Sequence, residues 1–200
     1  MRNRLINDAT SLVKQLPGQS RYWMDVHGCT EFLDVLNFRS VESLSQPWRY
    51  DVADTCSSKD IACESLLLKP ASFTFQTPMF DGTPALPVRT VFGVVESFRR
   101  VSTSNDETRY ALTIVPRIAL LDYTKGSAIY LNQSVTEVVE QVLRKHGLEG
   151  PDFEFRLSRE YPSRELITQW RETDLEFIQR LLAEVGIYWR YEMDGRLEQD

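Results

Sequence analysis

Histidine is nearly absent from this chain: His27 and His146 are the only two in 200 residues. It is the usual proton shuttle and metal ligand near neutral pH, so acid–base catalysis and zinc coordination both start short of parts. Cysteine is scarce as well. Cys29, Cys56 and Cys63 form an odd set without CxxC spacing, which offers neither a zinc pattern nor a disulfide framework. They read as reduced thiols, with a Cys56–Cys63 bridge as the alternative. There is no excess of basic residues, since the net charge is −6. No positive field exists to hold nucleic acid or an anionic membrane. No apolar run approaches the roughly 18 residues that a bilayer span needs. The first twenty residues carry two arginines but no signal-peptide core. The expectation is synthesis in the cytosol, with any export by a route that uses no cleaved leader. Nucleophile elbows, glycine-rich phosphate loops and His-Glu-x-x-His helices are missing too.

What remains is ordinary globular material, 42% hydrophobic and 26% charged, long enough for one large domain or two small ones. Residues 1–20 are polar and patternless and read as a flexible N-terminal arm. From Arg21 to about Val115 short strand signals alternate with turn-prone residues. The candidates are Tyr22–Val26, Phe32–Phe38, Trp48–Val52, Ala71–Gln76, Val88–Phe98 and Arg109–Val115. Period-two alternation is visible in Ser72–Gln76 and Tyr110–Ile114, which suggests sheet with one buried face. Turns are marked by Asp81-Gly82-Thr83-Pro84 and by the polar link Ser102–Thr108. Residues 59–68 suggest a short helix.

Two helices are sharper. Ser134-Val135-Thr136-Glu137 has the form of a capping box, and Val135, Val138, Val139, Val142 and Leu143 follow on one face before Gly147. His146 falls in the last turn, where the carbonyl ends favour a cation. Thr173-Asp174-Leu175-Glu176 repeats the device, with Leu175, Ile178, Leu181, Leu182 and Val185 as the apolar face and Gly186 as the stop. Strand-like Phe153–Leu157 and Leu166–Trp170 precede this helix and Ile187–Glu192 follows it. Asp194-Gly195 reads as the first half of a hairpin turn, with a second strand from about Arg196.

Catalytic readings are weak. The 29 carboxylates fall mostly in caps and polar loops and read as solvated surface. His27-Gly28-Cys29 pairs a base with a nucleophile, but nothing in the spacing imposes the geometry of a triad. Asn132-Gln133-Ser134 matches a glycosylation acceptor whose serine is already explained as a cap. Trp170, Tyr188, Trp189 and Tyr191 could stack on sugars or bases. Their alternation along Ile187–Tyr191 favours packing in a core or between subunits. No catalytic, cofactor-binding or metal residue is assigned.

Several segments resemble one family. Tyr161–Glu165 followed by Gln169-Trp170-Arg171-Glu172-Thr173-Asp174-Leu175-Glu176-Phe177-Ile178-Gln179-Arg180-Leu181-Leu182-Ala183-Glu184-Val185-Gly186-Ile187-Tyr188 is similar to the signature of VgrG, the spike family of the type VI secretion system. The family is also known as the Vgr partner of Rhs elements, and its N-terminal module resembles a phage baseplate hub. Leu44-Ser45-Gln46-Pro47-Trp48-Arg49-Tyr50, Phe92-Gly93-Val94-Val95, Tyr110–Leu121 and Asn132–Leu148 agree in the same order, so the likeness runs from about residue 21 to 192. Ser127-Ala128-Ile129-Tyr130-Leu131 departs from it, lacking the arginine that the family often has there.

The resemblance implies an α+β, mainly β fold: an antiparallel β-barrel followed by the start of a second, related barrel, with two or three flanking helices. The expected domains are 1–20, the arm; 21–150, the first barrel with a helix near 134–146; and 151–200, the incomplete second barrel. It implies a structural hub with no enzyme activity. The implied partners are two further copies in a homotrimer, the Hcp tube protein, and PAAR tip and effector proteins held by later domains. The implied location is the cytoplasm before firing and the secreted fraction after it. The alternatives are a phage tail baseplate hub and a truncated remnant. The resemblance names no site residue; Arg164, Arg171 and Arg180 are weighed as inter-subunit partners against ordinary surface ion pairs.

Overall fold

In the computed structural model, residues 21–77 and 85–193 are described. The arm at 1–20, the turn at Asp81–Pro84 and the hairpin from Asp194 lie outside the described residues. By contact the chain divides into two units, one of residues 21–39 and 51–114, the other of 40–50 and 115–193. The helix expected near 134–146 stands in the second unit.

Six strands build the first sheet: β1 (Tyr22–Val26), β2 (Asp34–Val41), β3 (Arg49–Cys56), β4 (Pro70–Gln76), β5 (Pro87–Thr103) and β6 (Thr108–Val115). Their order is β1-β4-β5-β6-β3-β2, and the sheet is antiparallel and curled into a half-barrel. The six strands fall where the sequence reading puts them, with β2 and β3 starting two and one residues later and ends extended by up to five residues. Alternation works here because one face is buried and the other is wet. Tyr50 and Val52 of β3, Phe73 of β4, Val91 and Val95 of β5, and Tyr110, Leu112 and Ile114 of β6 are all buried. The long β5 turns back into β6 where Ser104 N–H donates to Glu107 O at 2.8 Å and Glu107 N–H donates to Ser104 Oγ at 3.1 Å.

The expected barrel is thus not closed by a full ladder, since β1 and β2 are the two ends of the strand order. Side chains bridge them instead. Tyr22 of β1 meets Phe38 of β2 edge-on at 4.9 Å, and Phe73 and Phe75 of β4 complete an aromatic cluster with contacts of 5.0–5.9 Å.

The helix expected over 59–68 reduces to one 3-10 turn, Cys63–Ser65. Pro70 restricts Lys69 to extended backbone. Leu68, at φ +59, turns the chain so that its N–H donates to Val95 O at 2.8 Å and feeds β4 into the sheet.

In the second unit, β7 (Lys125–Gln133) pairs antiparallel with β8 (Arg164–Thr173), and α1 (Val135–Lys145) and α2 (Asp174–Val185) follow the two strands. Both helices start in full capping boxes, Ser134 with Glu137 and Thr173 with Glu176, as the sequence predicts. Gly186 ends α2 at φ +75, a conformation costly for a residue with a Cβ. Val138, Val139, Val142, Phe177, Ile178 and Leu181 are the centre of one apolar core.

Three sequence readings change here. Residues 125–133 form a strand that the reading left out. Residues 153–157 and 187–192 are irregular chain, not strands. Phe153, Phe155, Ile187 and Trp189 do pack against the core, so their alternation reports a buried side. Alternation says nothing about whether a backbone neighbour exists to pair with.

Candidate functional site

The residues weighed for catalysis are not brought into a reactive constellation. His27 is exposed in the turn after β1. Cys29 Sγ lies 3.7 Å from Glu31 O, and burial pushes its thiol above the ordinary range. Burial, with the nearby Glu31 carboxylate, does the same to Cys56. A thiol raised in this way is less nucleophilic at neutral pH. All three cysteines are free, so the alternative Cys56–Cys63 bridge is not formed. Among the described residues no group of three or more His, Cys, Asp or Glu is placed to hold a metal ion.

Charged groups serve the architecture of the second unit. Asp174, the first residue of α2, is buried; its Oδ2 lies 2.6 Å from His146 Nε2 and accepts from Lys145 Nζ at 3.0 Å. Its Oδ1 accepts from Gln169 Nε2 at 2.7 Å. Burial alone would push this carboxyl up, but the bonds from His146, Gln169 and Lys145 outweigh it and hold the group below its usual range. His146 therefore joins the end of α1 to the start of α2.

Two of the three arginines weighed as inter-subunit partners are engaged within the unit. Arg180 forks onto Glu172 at 2.5 and 3.0 Å and also reaches Glu184 at 2.9 Å, while Arg164 meets Glu184 at 2.7 Å. Arg171, at φ +50, lays its guanidinium 5.4 Å from the centre of the Trp170 ring.

The aromatics separate into two groups. Trp189 and Tyr191 meet at 5.4 Å, and Tyr191 contacts Trp48 at 6.1 Å. Ser45, at φ +58, donates its N–H to Trp189 O at 2.9 Å, and Trp189 N–H donates back to Ser45 Oγ at 3.3 Å. Two segments some 140 positions apart, around 44–50 and 187–191, thus lock together. Trp170 and Tyr188, in contrast, point outward.

Trp170 belongs to a larger feature. In the β7–β8 register Leu131 faces Leu166, Ile129 faces Thr168 and Ser127 faces Trp170. One side of this pair covers the core, where Ile167 is buried and Tyr130 stacks on Phe177 at 5.6 Å. On the other side Ile129 is 68% exposed, Leu131 62%, Leu166 55% and Trp170 69%. Four large apolar side chains on one two-stranded face are unusual for a solvated surface, where such residues are scattered singly. Trp and Arg are the types that dominate protein–protein contacts. The arrangement suits binding another protein surface and supplies no group for chemistry. Sequence reasoning missed it. Its signal was the run Ala128-Ile129-Tyr130-Leu131, apolar at both parities, which marks a strand covered on both sides.

The same unit has an open groove of about 890 Å³, lined by Val139, Leu143, Ile178 and Leu182 of the helices, by Phe153 and Phe155, and by residues 186–193. Around it Arg156 and Arg190 pair with Glu192.

Comparison with known proteins gives a consistent picture. The family model for the phage tail baseplate hub (GPD) matches residues 41–198. The type VI secretion system spike protein VgrG4b of Pseudomonas aeruginosa is 31% identical over 173 residues, covering 86% of this chain and 20% of that protein. This chain therefore spans about a fifth of the length of that curated relative. Among solved structures, the E. coli c3393 protein matches with a TM-score of 0.79 and 41% identity over 88% of this chain and 46% of its own. It is described as a component of the type VI secretion system with structural similarity to the T4 phage tail proteins gp27 and gp5. A 43 kDa tail protein of prophage MuSo2 from Shewanella oneidensis shares the fold at a TM-score of 0.55 and 16% identity, over 88% of this chain and 57% of its own.

Proposed function

Since the chain belongs to the phage tail baseplate hub (GPD) family, we propose that it is a structural piece of a type VI secretion spike, the base on which the spike is assembled. Its role is mechanical: to fit against neighbours, not to turn over a substrate. Three copies form the hub, the hub sits on the end of the Hcp tube, and tip and effector proteins attach through the remaining length of the parent spike. The protein is held in the cytoplasm until the apparatus fires and leaves with it.

The observation that carries this reading is the outward face of β7–β8. Exposed Ile129, Leu131, Leu166 and Trp170 are costly to leave in water and gain about 25 cal/mol for each Å² that a partner covers. Relatives named as type VI spike proteins support the choice of machine. A phage tail hub is the second reading, favoured by the family description and by the fold shared with the MuSo2 tail protein.

The test is co-sedimentation with assembled Hcp tubes. The spike reading expects the chain in the tube pellet, and loss of pelleting when Trp170→Glu and Leu131→Glu are combined. Equal recovery with and without tubes would remove Hcp from the reading and leave the phage hub. For an enzyme, hydrolysis of peptidoglycan or an ester that disappears with His27→Ala and Cys29→Ala would overturn the structural role.

A further inference from the structure

Asp54 lies on the inward face of β3 between buried Val52 and Cys56, and its exposure is 0%. Neither carboxylate oxygen has a hydrogen-bond partner among the described residues. A buried carboxylate without a donor is among the costliest groups a core can hold, whereas its neutral acid costs far less.

Among the described residues the surroundings offer no cation. In the strand order β3 lies between β6 and β2. From β2 comes Asp34, half-buried and itself pushed up by burial and by Glu107 in the turn before β6; Arg39 of the same strand is exposed. From β6 come Arg109, exposed, and Tyr110, whose hydroxyl donates to Ser58 O at 3.0 Å. On β3 itself Asp51 is exposed and accepts from Thr113 Oγ1, and Cys56 is a neutral thiol whose own pKa is raised. Among the described residues the charge that bears on Asp54 is that of Asp34, and it repels.

We propose that Asp54 is held inside the half-barrel as the neutral acid, and that loss of its proton to solvent releases the edge strand β2. This strand is the one to yield because β3 is its single hydrogen-bonded neighbour, whereas β3 is flanked on both sides. Opening β2 also admits water to the new carboxylate and separates it from Asp34. The half-barrel thus carries an edge strand whose attachment weakens when one proton is lost.

The test is amide hydrogen exchange of residues 35–39 between pH 6.5 and 9, expressed as protection relative to the unfolded chain. Burial and Asp34 push the Asp54 carboxyl up from 3.8 to about 8. Stability from the neutral form is therefore complete below the lower value and is lost as pH rises through the upper. Over this window protection of β2 is expected to fall about thirty-fold, while β4 amides change little and Asp54→Asn removes the fall. A carboxyl-carbon NMR titration of the native chain, needing no variant, should place the Asp54 midpoint near 8. A midpoint in the ordinary carboxylate range, or an equal loss of protection in Asp54→Asn, would overturn the proposal.

Discussion

Asp174 shows how much one side chain can hold together. It opens α2, accepts from Gln169 of β8 and from Lys145 at the end of α1, and lies against His146 at that same helix end, so three elements of the second unit meet at one carboxylate. Removing Asp174 takes one acceptor from the buried Gln169 amide, while Lys145 stays solvated, and costs about 2 kcal/mol. Asp174→Ala is expected to lower urea stability by that amount at pH 7. The folded carboxyl lies below its unfolded value, so its contribution is full above the unfolded value and fades as pH falls through the folded one. The gap between native and Asp174→Ala should therefore close in acid. A gap that stays constant from pH 7 to pH 3 would place the loss in packing instead.

At the scale of elements, helix ends were the most legible part of the sequence. Ser134-x-x-Glu137 and Thr173-x-x-Glu176 are local patterns, satisfied by atoms three residues apart, so nothing distant can alter them. Thr173 adds a hydroxyl bond to Asp122 Oδ1 at 2.8 Å that no local pattern reveals. Thr173→Ala is expected to cost about 1–2 kcal/mol and Ser134→Ala toward the lower end of that range, read by thermal or urea unfolding. Strands are harder because their partners are remote. The first six were legible through one wet face, β7 was hidden by apolar residues on both faces, and 153–157 and 187–192 showed alternation without a ladder. Closure of the half-barrel was equally hidden, since Tyr22, Phe38, Phe73 and Phe75 are brought together by the curl of the sheet. Phe73 is fully buried at their centre, and Phe73→Ala is expected to cost about 4 kcal/mol. A cost below about 1 kcal/mol in urea unfolding would mean that the aromatic bridge between β1 and β2 contributes little.

At the scale of the whole molecule, composition already spoke against nucleic acid and against zinc chemistry, and the resemblance pointed to a part shaped for assembly. The face proposed for assembly was not legible. It depends on the pairing of β7 with β8, which puts Leu131 beside Leu166 and leaves Trp170 outward, and no local pattern encodes that register. Substitutions there touch little of the core, so Trp170→Glu with Leu131→Glu should change urea stability by under about 1 kcal/mol while removing association.

Light scattering of the native chain and of this double variant, each sized alone and with the Hcp tube protein across a range of concentrations, tests the docking role most directly. The native chain is predicted to exceed its 23.2 kDa monomer mass, by self-association or by carrying tube protein, and the double variant to remain at the monomer mass. A native chain that stays monomeric at every concentration and ignores the tube protein would contradict a docking role for this face.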